Sequence, residues 1–277
     1  MSHTHPTHPT EASRPSRLSE GLDVLKVVGG SAPTPLEALS DIAPDLARYA
    51  VEFAYGDLYN RPGLTLPQRQ LVTVAALAAL GNAEPQLRFH IAGALNVGCT
   101  RREIVEVVMH ALVYAGFPAA LNGIAAARAV FTEHPGTSDT PAEPVGEGDS
   151  ERLARGLRAL EEVDGHAGQQ VMDSLSDIAP DLGRYIVEFV FGDVYQRTGI
   201  DLKTREMATI AMCTALGTAG PQLRVHIHGF LNTGGTREET TEVITHLAAY
   251  AGFPAALNGI TAAREVFAAR DAARDAA

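Results

Sequence analysis

The chain repeats itself. LSDIAPDLARYAVEF, beginning at Leu39, returns as LSDIAPDLGRYIVEF at Leu175, and YAGFPAALNGI at Tyr114 returns unchanged at Tyr250. The offset of about 136 residues holds without a gap from Leu39 to Phe131. Between residues 36–134 and 172–270, about 58 of 99 positions are identical. The similarity reaches upstream, where RLSEGLDVL at Arg17 resembles RLARGLRAL at Arg152 with the register shifted by one residue. Two copies are too few for a solenoid, so the duplication predicts two homologous domains packed as a pair about a pseudo-twofold axis. The boundaries that follow are a tail at 1–14, one repeat at 15–134, a linker at 135–150, a second repeat at 151–270 and a short C-terminal tail at 271–277. The first tail is rich in His, Pro and Thr. It reads as disordered, with His3, His5 and His8 no more than adventitious metal ligands.

Within each copy the pattern is helical. IVEVVMHALVYA from Ile104 carries apolar residues at helical spacing, and Thr100/Glu103 and Thr236/Glu239 have the spacing of capping boxes. Pro85 falls at a first-turn position, and Gly98 and Gly234 fit turns between helices. No alternating run demands a strand. The expectation is an all-α chain with about six helices per repeat. With 22 Lys and Arg against 33 Asp and Glu the net charge is −11, which disfavours nucleic acid and anionic membrane surfaces as partners. The N-terminus has no apolar leader and no span is free of charge and proline, so a cytoplasmic location is expected. Cys99 and Cys213 lack CxxC spacing and read as structural.

The conspicuous ionisable residues on apolar helices are His90 and His226, each four residues after a glutamine, Gln86 or Gln222. That spacing places amide and imidazole on one helix face, a pattern equally suited to a hydrogen-bonded core histidine. On the preceding helix the second copy has Glu206 where the first has Gln70. Glu206 is either a first-turn glutamate favoured by the helix dipole or, if it faces His226, half of an acid/base couple. Glu106/His110 and Glu242/His246 sit four apart and read as helix ion pairs or pocket residues. Tyr114 and Tyr250 are candidate phenol donors, and Arg88 and Arg224 candidate carboxylate clamps. His228 lies about 200° around the helix from His226, so the two do not share one pocket.

PQLRFHIAGALNVGCTRREIVEVVMHALVYAGFPAALNG, and its second copy PQLRVHIHGFLNTGGTREETTEVITHLAAYAGFPAALNG, resemble the carboxymuconolactone decarboxylase family of the AhpD-like superfamily. The resemblance covers nearly the whole chain outside tail and linker. It implies an all-α fold, and a two-copy chain that forms a homotrimer with pseudo-hexameric symmetry, because single-domain relatives assemble as trimers or hexamers. The thiol-dependent branch carries a CxxC at positions that here hold Ala83 and Gln86, or Ala219 and Gln222, which disfavours thiol peroxidase activity. The decarboxylase branch implies chemistry without metal or cofactor around His90 and His226, and its conserved glutamate maps near Glu206; Gln70 departs from the pattern. The expectation is a catalytic pair Glu206 and His226, supported by Gln222, Tyr250, His228, His246 and Arg224. The counterparts Gln70, Gln86, His90 and Tyr114 form a degenerate centre. The substrate is a small carbonyl compound or lactone, which is decarboxylated or, with the same pair, dehydrated and cyclised. A non-catalytic binding role is the further alternative.

Overall fold

A computed structural model of the chain describes residues 16–136, 151–165 and 172–276. The tail with His3, His5 and His8 and linker residues 137–150 lie outside the described residues. The first repeat opens with α1 (Arg17–Gly29) and a single capped turn, Pro35–Ala38. Helix α2 (Pro44–Tyr49) runs directly into a π-helical stretch, Ala50–Leu58. Then follow α3 (Leu66–Leu80), α4 (Glu84–Asn96) and the long α5 (Arg101–Glu133). The second repeat gives α6 (Arg152–Asp164), α7 (Pro180–Tyr185) with π-helical Ile186–Val194, α8 (Leu202–Leu216), α9 (Gly220–Asn232), α10 (Arg237–His246) and α11 (Phe253–Asp275). There is no strand among the described residues.

Local chemistry sets these boundaries. The Thr100 and Thr236 side chains accept from the Glu103 and Glu239 amides, and each glutamate returns the bond to the threonine N–H. Helix α5 is long and apolar enough to span a membrane by length and composition. It is nevertheless broken at Gly116 (φ 84°, ψ 168°), just before Phe117 and Pro118, and it buries Glu106 and His110. Gly252 makes the same break between α10 and α11 at φ 85°. Side chains rarely adopt such a positive φ, so glycine permits the chain to redirect there. Helix α11 continues to Asp275 through the stretch assigned as a tail from 271, with Asp271 held by Arg237 and Arg274.

The two repeats share one core. The alanine-rich helices α3 and α8 pack against each other at the centre, where small side chains allow close approach. A single apolar cluster runs from Leu71, Val74 and Ile104 through Met207, Ile210 and Ile244. Smaller clusters under α1 and α6 flank it, each closed by a tyrosine that follows the π-helical stretch, Tyr59 or Tyr195. Buried ion pairs cross between repeats. Arg205 and Arg197 both bind Glu106, at 3.1 and 2.7 Å, and Arg69 and Arg61 both bind Glu242, at 3.3 and 2.5 Å. The Glu106/His110 and Glu242/His246 spacings therefore do not mark helix ion pairs, because each glutamate is taken by arginines of the other repeat.

Candidate active site

Glu206, fully buried on α8, and His226 on α9 face each other, with His226 Nδ1 2.8 Å from Glu206 Oε2. The other carboxylate oxygen, Oε1, accepts from the Tyr195 hydroxyl at 2.8 Å. Tyr195 in turn lies 3.1 Å from the Tyr114 hydroxyl, and Tyr114 lies 3.1 Å from His226 Nε2. Glu206, His226, Tyr114 and Tyr195 thus form a closed hydrogen-bond circuit. A carboxylate only accepts, so the imidazole Nδ1–H and the Tyr195 O–H both donate to it. Nε2, on the other side of the ring, faces the Tyr114 hydroxyl. Burial first, and then the charge of Glu206, pushes both phenols well above their ordinary pKa, so they remain protonated donors.

Tyr114 belongs to the other repeat. It reaches His226 because α5 lies against α8 across the pseudo-twofold, just ahead of the break at Gly116. His110, one turn earlier, puts its ring against Tyr114 and Tyr195, and its Nε2 meets Thr209 Oγ1 at 2.8 Å. Burial, then Arg205 and then His226, drives the His110 pKa well below its ordinary value, so the ring is neutral.

The exchange runs both ways. Tyr250 and His246, expected beside Glu206, instead belong to the first repeat's centre: Tyr250 meets the His90 ring edge-on and bonds Tyr59 at 2.9 Å, and His246 Nε2 meets Thr73 at 2.9 Å. Tyr114, expected beside His90, is at the second centre for the same reason. At the first centre Gln70 Oε1 faces His90 Nδ1 at 3.0 Å, and the Gln70 amide donates to Tyr59 at 2.9 Å. No hydrogen bond from Tyr250 to His90 closes a circuit among the described residues. Burial lowers the His90 pKa to about 3.

The remaining candidates lie apart. Gln86 and Gln222 are exposed, and Gln70 of α3 and Glu206 of α8, rather than the preceding turn, supply the partners of the histidine Nδ1 atoms. Arg88 and Arg224 pair with Glu133 and Glu265 at the surface. His228 is half-buried against Arg270. Cys99 and Cys213 are buried, and burial pushes each thiol up to about 12, far from thiolate reactivity. No group of three or more His, Cys, Asp or Glu is placed to hold a metal ion among the described residues. Sequence reasoning missed Tyr195 and Thr209. The signal for Tyr195 was available, since GDLYNR and GDVYQR keep the tyrosine in both copies.

An all-helical pair of repeats enclosing a carboxylate–imidazole–phenol centre defines the class. The carboxymuconolactone decarboxylase pattern matches residues 44–129 and again 180–265, and the chain belongs to that family. It is 38% identical over 119 residues to the 4-carboxymuconolactone decarboxylase of Acinetobacter baylyi, covering 42% of this chain and 88% of that protein. It is 36% identical over 108 residues to the nitrosuccinic acid decarboxylase npaB of Metarhizium robertsii, covering 38% of this chain and 74% of that one. A solved structure described as a gamma-carboxymuconolactone decarboxylase subunit from Burkholderia xenovorans aligns with TM-score 0.57 and 25% identity over 92% of this chain and 98% of that chain.

Proposed function

We propose that the protein is an acid/base lyase that decarboxylates a small carbonyl- or lactone-containing acid at the Glu206–His226 centre, without metal or cofactor. The closed circuit through Glu206, His226, Tyr114 and Tyr195 carries this reading. In a decarboxylation the bond to the departing carboxylate breaks and its electron pair enters the conjugated carbonyl. The oxygen that takes up this charge needs a donor. With a proton on Nε2, the imidazolium and the Tyr114 hydroxyl are such donors, and Glu206 balances the cation and fixes the ring. The phenols re-aim their hydrogens as the ring gains or loses that proton, because burial keeps them neutral. Carbon dioxide leaves, and an acid then protonates the dienolate. Two relatives are named as decarboxylases of different acids, which supports the reaction while leaving this chain's substrate its own.

The test is carbon dioxide release from γ-carboxymuconolactone by purified protein in chelator. Glu206→Gln and His226→Ala are each expected to lower the rate by about 10²–10⁴-fold, the usual worth of a positioned acid or base. His90→Ala is expected to leave it within a few fold. Equal losses from His90→Ala and His226→Ala would refute the assignment to one centre. No turnover by folded wild-type protein would refute the decarboxylase reading and favour elimination of water with ring closure on a larger carbonyl compound.

A further inference from the structure

We propose that Asp164 is a third ionisable member of this centre and delivers the proton that ends on the substrate carbon, an inference that rests on the decarboxylase reading. The residue differs between repeats at a structurally fixed place. Asn96 Nδ2 donates to Val28 O at 2.8 Å, and Asn232 Nδ2 donates to Val163 O at 2.9 Å, so the residues that follow, Gly29 and Asp164, are equivalents. In the first repeat Phe89 fills the space beside that position. A Cβ on Gly29 would stand 3.3 Å from the Phe89 ring, which also lies edge-on to His90 with centroids 5.1 Å apart. In the second repeat Val225 replaces Phe89. The aromatic cover is gone, and a carboxylate stands where the first repeat has glycine.

The end of α6 abuts the buried pair. Val163 Cγ1 and Glu206 Oε2 would lie 2.7 and 3.0 Å from a Cβ on Gly229, so both press on one spot of α9. Glu206 is fully buried, and both nitrogens of His226 are engaged. Asp164, next in sequence to Val163, is half-buried at the end of α6 and so can be reloaded from solvent. Among the described residues, the other charged groups on the elements that pack against α6 are occupied: Glu188 by Arg184, Asp193 by Arg152, Arg224 by Glu265, and His228 by Arg270. Among the described residues, the charges that act on Asp164 are those of His226 and Glu206. Burial pushes its carboxyl up to about 6, with His226 opposing and Glu206 adding to the rise.

The balance is simple. Release of carbon dioxide leaves an electron pair on the dienolate; the Asp164 proton forms the new C–H bond; the Asp164 carboxylate then takes a proton from water. Nothing is oxidised or reduced. A donor of this kind gives a rate that falls as pH rises through about 6.

The experiment is the pH profile of carbon dioxide release from γ-carboxymuconolactone by wild-type protein, Asp164→Asn, Asp164→Gly, Asp164→Glu and Val225→Phe, with thermal melts as a folding control. Asp164→Asn and Asp164→Gly, the latter carrying the first repeat's residue, are expected to lose about 10²-fold in kcat with little change in KM, and to lose the alkaline limb. Asp164→Glu is expected to keep the limb and part of the rate. Val225→Phe, which alters no ionisable group, is expected to lower the rate while Asp164 remains. Wild-type kcat in Asp164→Asn, or a lowered rate with the limb intact, overturns the proposal. If Glu206→Gln and His226→Ala lose activity while Asp164→Asn does not, the role of Asp164 alone falls. If wild-type protein releases no carbon dioxide, the parent reading falls and this one with it.

Discussion

One side-chain atom, nitrogen or oxygen, separates Gln70 from Glu206. The Gln70 amide donates to Tyr59, whereas Glu206 accepts from Tyr195, so the tyrosine hydroxyls point opposite ways. The first centre carries no carboxylate on α3 to balance a charged ring, and burial holds His90 at about 3. This neutral histidine has a cost in acid. Its pKa is depressed on folding, so its contribution is fully present above the ordinary 6.5 and is lost as pH falls towards 3. His110 and His246 shift the same way, by burial first and neighbouring arginine second. Unfolding free energies from urea titrations are expected to fall from pH 6.5 to 5, at up to about 1.4 kcal/mol per pH unit for each such histidine. His90→Gln is expected to flatten that slope; an unchanged slope would show that His90 is protonated in the folded chain.

At the scale of elements, the break in α5 decides which centre Tyr114 serves. Gly116→Ala meets no close atom, since only Pro118 Cδ lies near, at 3.7 Å; its penalty comes from the positive φ. A loss of about 1–2 kcal/mol is expected in chemical denaturation. Tyr114 is expected to shift with the break, so activity should fall by more than stability alone explains; wild-type stability and rate together would refute this. Helix ends were legible in the sequence because Thr100, Glu103, Thr236 and Glu239 cap through local spacing. The Glu206–His226 pair was legible as a difference between copies. The partner of each centre was not, because YAGFPAALNGI is identical in both repeats and holds no record of which side of the axis it faces. The π-helical stretches were hidden for a related reason: AVEFAYGDL places apolar residues compatibly with an ordinary helix. Asp164 was missed because EEVDG reads as a solvated acidic helix end.

For the whole molecule, the apolar surface is as duplicated as the core. Ile42, Leu46 and Tyr49 are exposed, as are Phe253 and Leu257 of the other repeat, and Phe53 and Phe253, with tilted rings 5.5 Å apart, join the two sets. Ile178, Leu182 and Tyr185 pair off in the same way with Phe117 and Leu121 through Phe189, at 6.1 Å. Contiguous exposed patches of this kind mark association surfaces. We propose that copies of this chain cover them in a homotrimer of pseudo-hexameric symmetry, one patch against the other so that the ring closes. Native mass measurement is expected to give three chains, and Tyr49→Glu with Tyr185→Glu is expected to give one; a wild-type monomer at micromolar concentration would refute the assembly. The crossing of α5 has a consequence for how such a chain can change over time. The first repeat has Gln70 where the second has Glu206, yet its Tyr114, His110 and Glu106 are tied to the other centre. If the reaction runs at Glu206 and His226 as proposed, the chain cannot shed its first repeat, because that centre is built partly from it.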